Sequence, residues 1–329
     1  MRQPSLVRGG TRLTGVIDTL SAGYDIVNRH PWIILIPILL DLFLWLGPQV
    51  SAARLVSRTL SWVVPLGPSG ARARLFDQAQ QRDLVEAAEG INLMAALAPS
   101  VVGVPSLVAA LGIRDPLRSV PVENWGTAAA ILLGSVVGGM LLGALYYSIL
   151  AQEVRDGAVS LARLLGQALR SWVRVLLYLL LLLGLGLLFG LPVGFLAVSA
   201  ALVSPALGSL ALSAVLMSLV WVGIYLFFVP DAIFLSQVGP LQAIKNSVAV
   251  VRLSFWGAVG IVALITVVLL GMGRVWELAS ESISGPWGLG VGILGNAYIA
   301  SGLIAASMRF YRERIEYLKA EMRTESNVG

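Results

Sequence analysis

Residues 240–256 read PLQAIKNSVAVVRLSFW, and this stretch decides the fold. On a helix, Leu241, Ile244, Val248, Val251 and Phe255 recur at spacings of 3, 4, 3 and 4 and line one side. Gln242, Lys245, Asn246 and Arg252 fall on the other faces. Such a segment is too polar to cross a bilayer and too one-sided for bulk water, so it predicts a helix lying in the membrane interface. Trp256 closes it, and a long apolar run follows at once.

The same device occurs twice more. In residues 13–30, Leu13, Ile17, Leu20, Tyr24 and Val27 repeat at helical spacing opposite Thr14, Asp18, Ser21, Asp25 and Asn28, and Trp32 opens the next run. In residues 160–174, Leu161, Leu164, Ala168 and Trp172 face one way, with Ser160, Arg163, Gln167, Arg170 and Arg174 the other. Trp32, Trp172 and Trp256 are read as interfacial anchors, since indole rings settle at the headgroup level.

Composition agrees with a membrane setting. Of 329 residues 57% are hydrophobic and 12% charged, about half the charge of a soluble domain. Mean hydropathy is +0.84. The chain has no cysteine, which excludes disulfides, thiolate chemistry and Cys-ligated metal, and a single histidine, His30, argues against an imidazole-ligated metal. No cofactor or metal site is expected. The basic pI does not imply nucleic acid, because the cations sit in a few loops rather than in an aromatic-interleaved patch. The basic N-terminal residues lie too far before the first apolar run for a cleavable signal peptide.

Six spans are predicted, arranged as three hairpins in an all-α fold: Trp32–Val50, about Trp125–Gln152, two within the charge-free run Val175–Pro230, about Phe255–Gly273 and about Pro286–Met308. That 56-residue run holds two spans and a turn, placed at Ser204–Pro205. The chain reads as one membrane domain over 1–329, with residues 51–123 as an extracytoplasmic helical insertion between spans one and two. An amphipathic helix is expected over 72–97. The charge-free window 90–113 is read as re-entrant or surface-lying, because Pro99, Gly103, Pro105 and Gly112 make a poor spanning helix. Lys and Arg number four before span one, four in 153–174, two in 231–254 and five in the C-terminal tail, against one, Arg274, in the short opposite loops. That bias predicts a multi-pass inner-membrane protein with both termini cytoplasmic.

The three amphipathic joins suggest an internal repeat. The join AIKNSVAVVRLSFWGAVGIVALI (243–265), with GAVSLARLLGQALRSWVRVLLYLL (157–180) as a weaker second copy, resembles the six-span bacterial membrane proteins grouped with the membrane domain of glycerophosphodiester phosphodiesterases. The resemblance covers about 150–312 and implies a helical membrane module. No soluble phosphodiesterase domain accompanies it, and residues 51–123 depart from the compact family pattern.

Candidate site residues are few. Asp41, near mid-span, is either a proton or substrate site or half of an interhelical hydrogen bond with Asn296 or Thr266, since a lone carboxylate in hydrocarbon is costly. Asp231 reads as a solvated or paired carboxylate at a membrane edge. Arg274 and Glu277 are spaced to pair. Arg163, Arg170, Lys245 and Arg252 are expected to contact lipid headgroups. Glycines at 134/138, 139/143, 186/190/194 and 288/292 have the spacing that lets membrane helices approach closely. GVGILG at 290–295 lies inside a span and is not read as a nucleotide loop. The expected function is that of a non-enzymatic membrane scaffold, accessory subunit or membrane-organising factor. Its partners would be membrane lipids and a protein engaged through residues 66–123. A transporter or flippase for a lipid-like substrate is the second reading.

Overall fold

The computed structural model describes residues 13–63, 83, 85–87, 91–98, 102–113, 119–283 and 286–326. The chain is helical with almost no sheet. Its elements are α1 (Val16–Arg29), a 3-10 turn (Pro31–Ile34), α2 (Leu35–Leu46), β1 (Gln49–Ser51), α3 (Ala53–Val63), a 3-10 turn (Leu93–Leu97), α4 (Leu107–Leu111) and β2 (Ser119–Pro121). There follow α5 (Trp125–Asp156), α6 (Leu161–Leu185), a π turn (Gly186–Gly190), α7 (Leu191–Val203), α8 (Pro205–Leu226), α9 (Val229–Leu235), α10 (Pro240–Leu253), α11 (Phe255–Ser282) and α12 (Pro286–Ser326).

Among the described residues, five helical stretches are long and apolar enough to cross a membrane: Trp125–Asp156, Leu161–Val203, Pro205–Leu235, Phe255–Ala279 and Trp287–Thr324. The count is six if α1 and Pro31–Leu46, bent at His30, are taken as one span. The protein is therefore a multi-pass helical membrane protein. The hairpin turn falls at Ser204, whose extended backbone (φ −159°, ψ 135°) interrupts the rod, with Pro205 opening α8.

Three local expectations are revised. The first span does not reach Val50: α2 stops at Leu46 because Gly47 is extended and Pro48 cannot continue the ladder. Residues 49–51 instead pair in parallel with 119–121. The second amphipathic segment is not a separate helix. α6, the π turn and α7 form one rod of 43 residues, about 65 Å long, and no proline or glycine pair breaks it near Trp172. Pro192 has no N–H to give to the preceding turn, and the ladder widens into the π turn just before it. The helix expected over 72–97 lies largely outside the described residues, and its end, Leu93–Leu97, is a 3-10 turn.

The chain forms two compact units. One comprises residues 1–30, 147–269 and 302–329. In it α1 crosses α12 at small residues: a Cβ on Gly23 would lie 2.5 Å from Ala306 N, and one on Gly302 would meet the Tyr24 ring. The start of α1 is tied to α12 by Thr14, whose N–H (2.6 Å) and hydroxyl both donate to Glu313 and whose carbonyl accepts from Arg314 Nη2 at 3.0 Å. The buried Arg314 guanidinium also lies over the Phe310 ring, 3.4 Å from its centroid, and Phe310 stacks on Phe228.

The other unit comprises residues 31–146 and 270–301. Asn92 Oδ1 accepts from Val50 N and Met94 N, both at 3.0 Å, fixing β1 against the 93–97 turn. Leu55, Leu93, Val122 and Ala128 form a small core beneath. Residues 91–98 and 102–113 hold a 3-10 turn and the short α4, and Val102, Val104, Leu107 and Val108 are buried. They lie directly on α5. A Cβ on Gly139 would run into the backbone of Leu97, and one on Gly143 into that of Val102 and Gly103. Gly292 gives the same room to Leu107. Gly139→Ala should cost about 1–3 kcal/mol of stability because backbone cannot step aside. Gly134→Ala, where nothing lies within 4 Å, should be neutral; thermal unfolding in detergent compares them.

Candidate functional site

Two sets of buried polar side chains stand out, one in each unit. In the second unit the Asp41 carboxylate is fully buried on α2 and receives three donors: Ser106 Oγ, Leu107 N at 3.0 Å and Val108 N at 3.1 Å. These are first-turn groups of α4, which lack partners inside the helix. Ser106 Oγ in turn accepts from Ala109 N at 3.0 Å, and Gly112, at φ +61°, closes the other end. A negative charge at a helix start is favourable, so Asp41 holds an irregular segment in place.

The partner of Asp41 is thus residues 106–108. No hydrogen bond joins Asp41 to Asn296, which is half-buried. Thr266 belongs to the other unit and returns its hydroxyl to Val262 O at 2.8 Å within α11. Buried near the same depth of chain, Tyr146 OH and Ser301 Oγ share a 2.7 Å hydrogen bond between α5 and α12.

In the first unit a longer network links five helices. Gln152 Nε2 donates to Gln167 Oε1 at 3.1 Å, and Gln167 donates to Phe234 O at 3.4 Å. Gln237, a non-glycine residue at φ +52°, donates to Ser171 Oγ at 3.1 Å and Phe234 O at 2.8 Å and accepts from Arg174 Nη1 at 3.1 Å. Tyr311 OH bonds Ser236 Oγ at 2.9 Å and accepts from Asn246 Nδ2 at 3.2 Å. Asp231 is buried and accepts from Ser307 Oγ. His30 Nε2 stands 3.4 Å from the buried Glu153 carboxylate. Among the described residues no group of three or more His, Asp or Glu could hold a metal ion. The hydroxyls and amides named here are engaged with one another, an arrangement that joins helices rather than one that activates a nucleophile.

Reading the sequence underweighted this network. Asp231 is buried rather than solvated, and Gln152, Gln167, Ser171, Gln237 and Tyr311 were not singled out as a group. The signal lay in Gln167 and Ser171, one turn apart on the same helix side as Leu164, Ala168 and Val175. Arg163, Arg170, Lys245 and Arg252 are exposed, as are Trp32 and Trp256. Trp172 is turned partly inward, with its indole N–H buried and unpartnered. Arg274 pairs with Glu277.

No family model, no curated protein and no solved structure matches this chain. Replacing Asp41 with Ala should remove all three acceptor bonds and cost about 3 kcal/mol or more, with Asn costing less because it keeps one acceptor oxygen. Hydrogen exchange at Leu107 and Val108 should rise in the same order, and unchanged protection in Asp41→Ala would refute the capping role.

Proposed function

We infer that the chain is a non-enzymatic integral membrane subunit that scaffolds or assists another membrane protein. One observation carries the reading: no side chain from Leu179 to Phe227 is buried. The hairpin is two apolar rods that approach closely at Gly208, where a Cβ would lie 2.5 Å from Ala201 Cβ. Without a hydrophobic drive in lipid, a helix pair gains further stability by packing and close approach, and this pair is uncovered apart from its Trp221–Tyr225 end, where Trp221 stacks on Phe255 and Ser247 bonds Tyr225 O. Its natural complement is another helical membrane protein. The segment 66–123 is a second contact region in this reading.

The polar side chains of the interior support a structural role. Asp41, the mid-span carboxylate singled out as a coupling candidate, is engaged by residues 106–108. The resemblance of residues 150–312 to a membrane module without its hydrolase fits the same reading. We place the protein in the cell inner membrane with the Arg163 and Lys245 segments on the cytoplasmic side, following the positive-inside bias. The first and third amphipathic helices also bury matching positions. Aligned on Trp32 and Trp256, Thr19, Gly23 and Val27 fall on Ala243, Ser247 and Val251, all buried, in keeping with an internal repeat.

Gentle-detergent purification with mass spectrometry should recover a stoichiometric membrane protein, and a photo-crosslinker at Leu202 or Leu210 should capture it. Crosslinks to lipid alone, together with substrate movement lost in Asp41→Asn, would favour the transporter instead. Because the chain lacks cysteine, Arg163→Cys and Lys245→Cys report sidedness cleanly. Both should be shielded from an impermeant thiol reagent added outside, and labelling of either would overturn the orientation.

A further inference from the structure

Helix α10 meets its own unit through small side chains. Ala243, Ser247 and Val250 are buried, and Ser247 Oγ donates to Tyr225 O at 2.7 Å. The opposite side carries Leu241, Lys245 and Arg252 at helical spacing, with Trp256 just beyond. Leu241 is 66% exposed and Trp256 73%. Lys245 and Arg252 are exposed and form no ion pair with any described residue. No acidic residue occurs between Asp231 and Glu277, so nothing along the chain offsets these two charges locally. α6, packed on α10 in the same unit, adds Arg170, also exposed and unpaired among the described residues, between the outward Leu169 and Val173. Arg163, further along, is 3.9 Å from Asp156 and is partly neutralised.

An outward face that mixes leucine and tryptophan with unpaired cations suits neither water nor a protein interior. It suits a layer that is hydrocarbon below and anionic above. The geometry points to anionic phospholipid as the ligand of this face, with Leu241 and Trp256 entering the acyl region and Lys245, Arg252 and Arg170 meeting the phosphodiester headgroups. The surface is the side of α10 turned away from the Ser247–Tyr225 contact with the hairpin, so its failure would leave the subunit reading untouched. A nucleic acid or acidic protein would leave the exposed leucine and indole unused, and free phosphate would use neither.

Native mass spectrometry of the full chain in neutral detergent tests this, with phosphatidylglycerol or phosphatidylcholine of matched acyl chains added. Phosphatidylglycerol should be retained at concentrations where phosphatidylcholine is not. Lys245→Gln and Arg252→Gln should each weaken that retention about fivefold, and the double variant should compound the loss. Lys319→Gln with Arg323→Gln, on the exposed end of α12, should leave it unchanged. Leu241→Gln keeps every charge and should weaken retention of both lipids. Inorganic phosphate at millimolar concentration should not displace the lipid. Equal retention of the two lipids, a double variant that binds phosphatidylglycerol as the parent does, or displacement by phosphate would each overturn the proposal. Circular dichroism and melting matched to the parent establish that the variants are folded.

Discussion

A polar atom inside a membrane protein has no water to fall back on, and each one must find its partner within the chain. The irregular segment 91–113 exists because three short side chains meet this demand. Asn92 takes two backbone amides, Ser106 takes one, and Asp41 takes two more together with the Ser106 hydroxyl. With those groups satisfied, non-helical backbone can lie against α5, and Gly139 and Gly143 let it do so without a side chain intervening. Removing any one of these three side chains leaves at least one N–H or O–H donor unanswered in an apolar setting, where the cost of an unpaired group is greatest.

The same demand sets the faces of the amphipathic helices. In a soluble protein the apolar stripe turns inward. Here small and polar side chains share the buried positions with apolar ones: Thr19 and Gly23 with Val27 on α1, Gln167 and Ser171 with Leu164 and Val175 on α6, Ala243 and Ser247 with Val250 and Val251 on α10. The leading apolar residues Ile17, Leu161 and Leu241 are 76%, 79% and 66% exposed. Hydrogen-bonding side chains gain most when turned toward partners in the interior, and the large apolar ones lose nothing by facing lipid. The period of these helices was therefore readable from sequence, but its direction was not. A stripe such as Leu241, Ile244 and Val248 looks the same whether its neighbour is protein or hydrocarbon.

Chain breaks were legible to the extent that they have a local cause. Ser204–Pro205 marks the hairpin turn because proline opens a helix easily and continues one poorly. Gly47–Pro48 ends α2 for a related reason, and the same rule, applied there, would have stopped the first span at Leu46. The unbroken course of α6 through Trp172 follows from the absence of any such residue. What no local rule conveys is the meeting of distant segments. Asp41 with Ser106, Asp231 with Ser307, and Thr14 with Glu313 and Arg314 each join residues far apart in sequence. A mid-span aspartate advertises a cost that must be met, and it is silent about who meets it.

Satisfied polar groups and uncovered apolar ones are distributed very unevenly. The hydrogen-bonded side chains gather where α6, α9, α10 and α12 meet, and that part of the chain holds Phe228, Ile233, Phe234, Tyr311 and Arg314 out of reach of solvent. From Leu179 to Phe227 the chain offers only apolar and aromatic side chains, glycines and serines, and Ser199, Ser209, Ser213 and Ser218 return their hydroxyls to the preceding turn of their own helix. A helix built in this way specifies no interior of its own. Its stability comes from the bilayer, from its partner rod and, at the Trp221–Tyr225 end, from α10 and Phe255, leaving most of its outer surface available at little energetic cost. In the proposed subunit role the hydrogen-bonded helices hold that end of the pair, and the exposed length of both rods is left for a lateral contact.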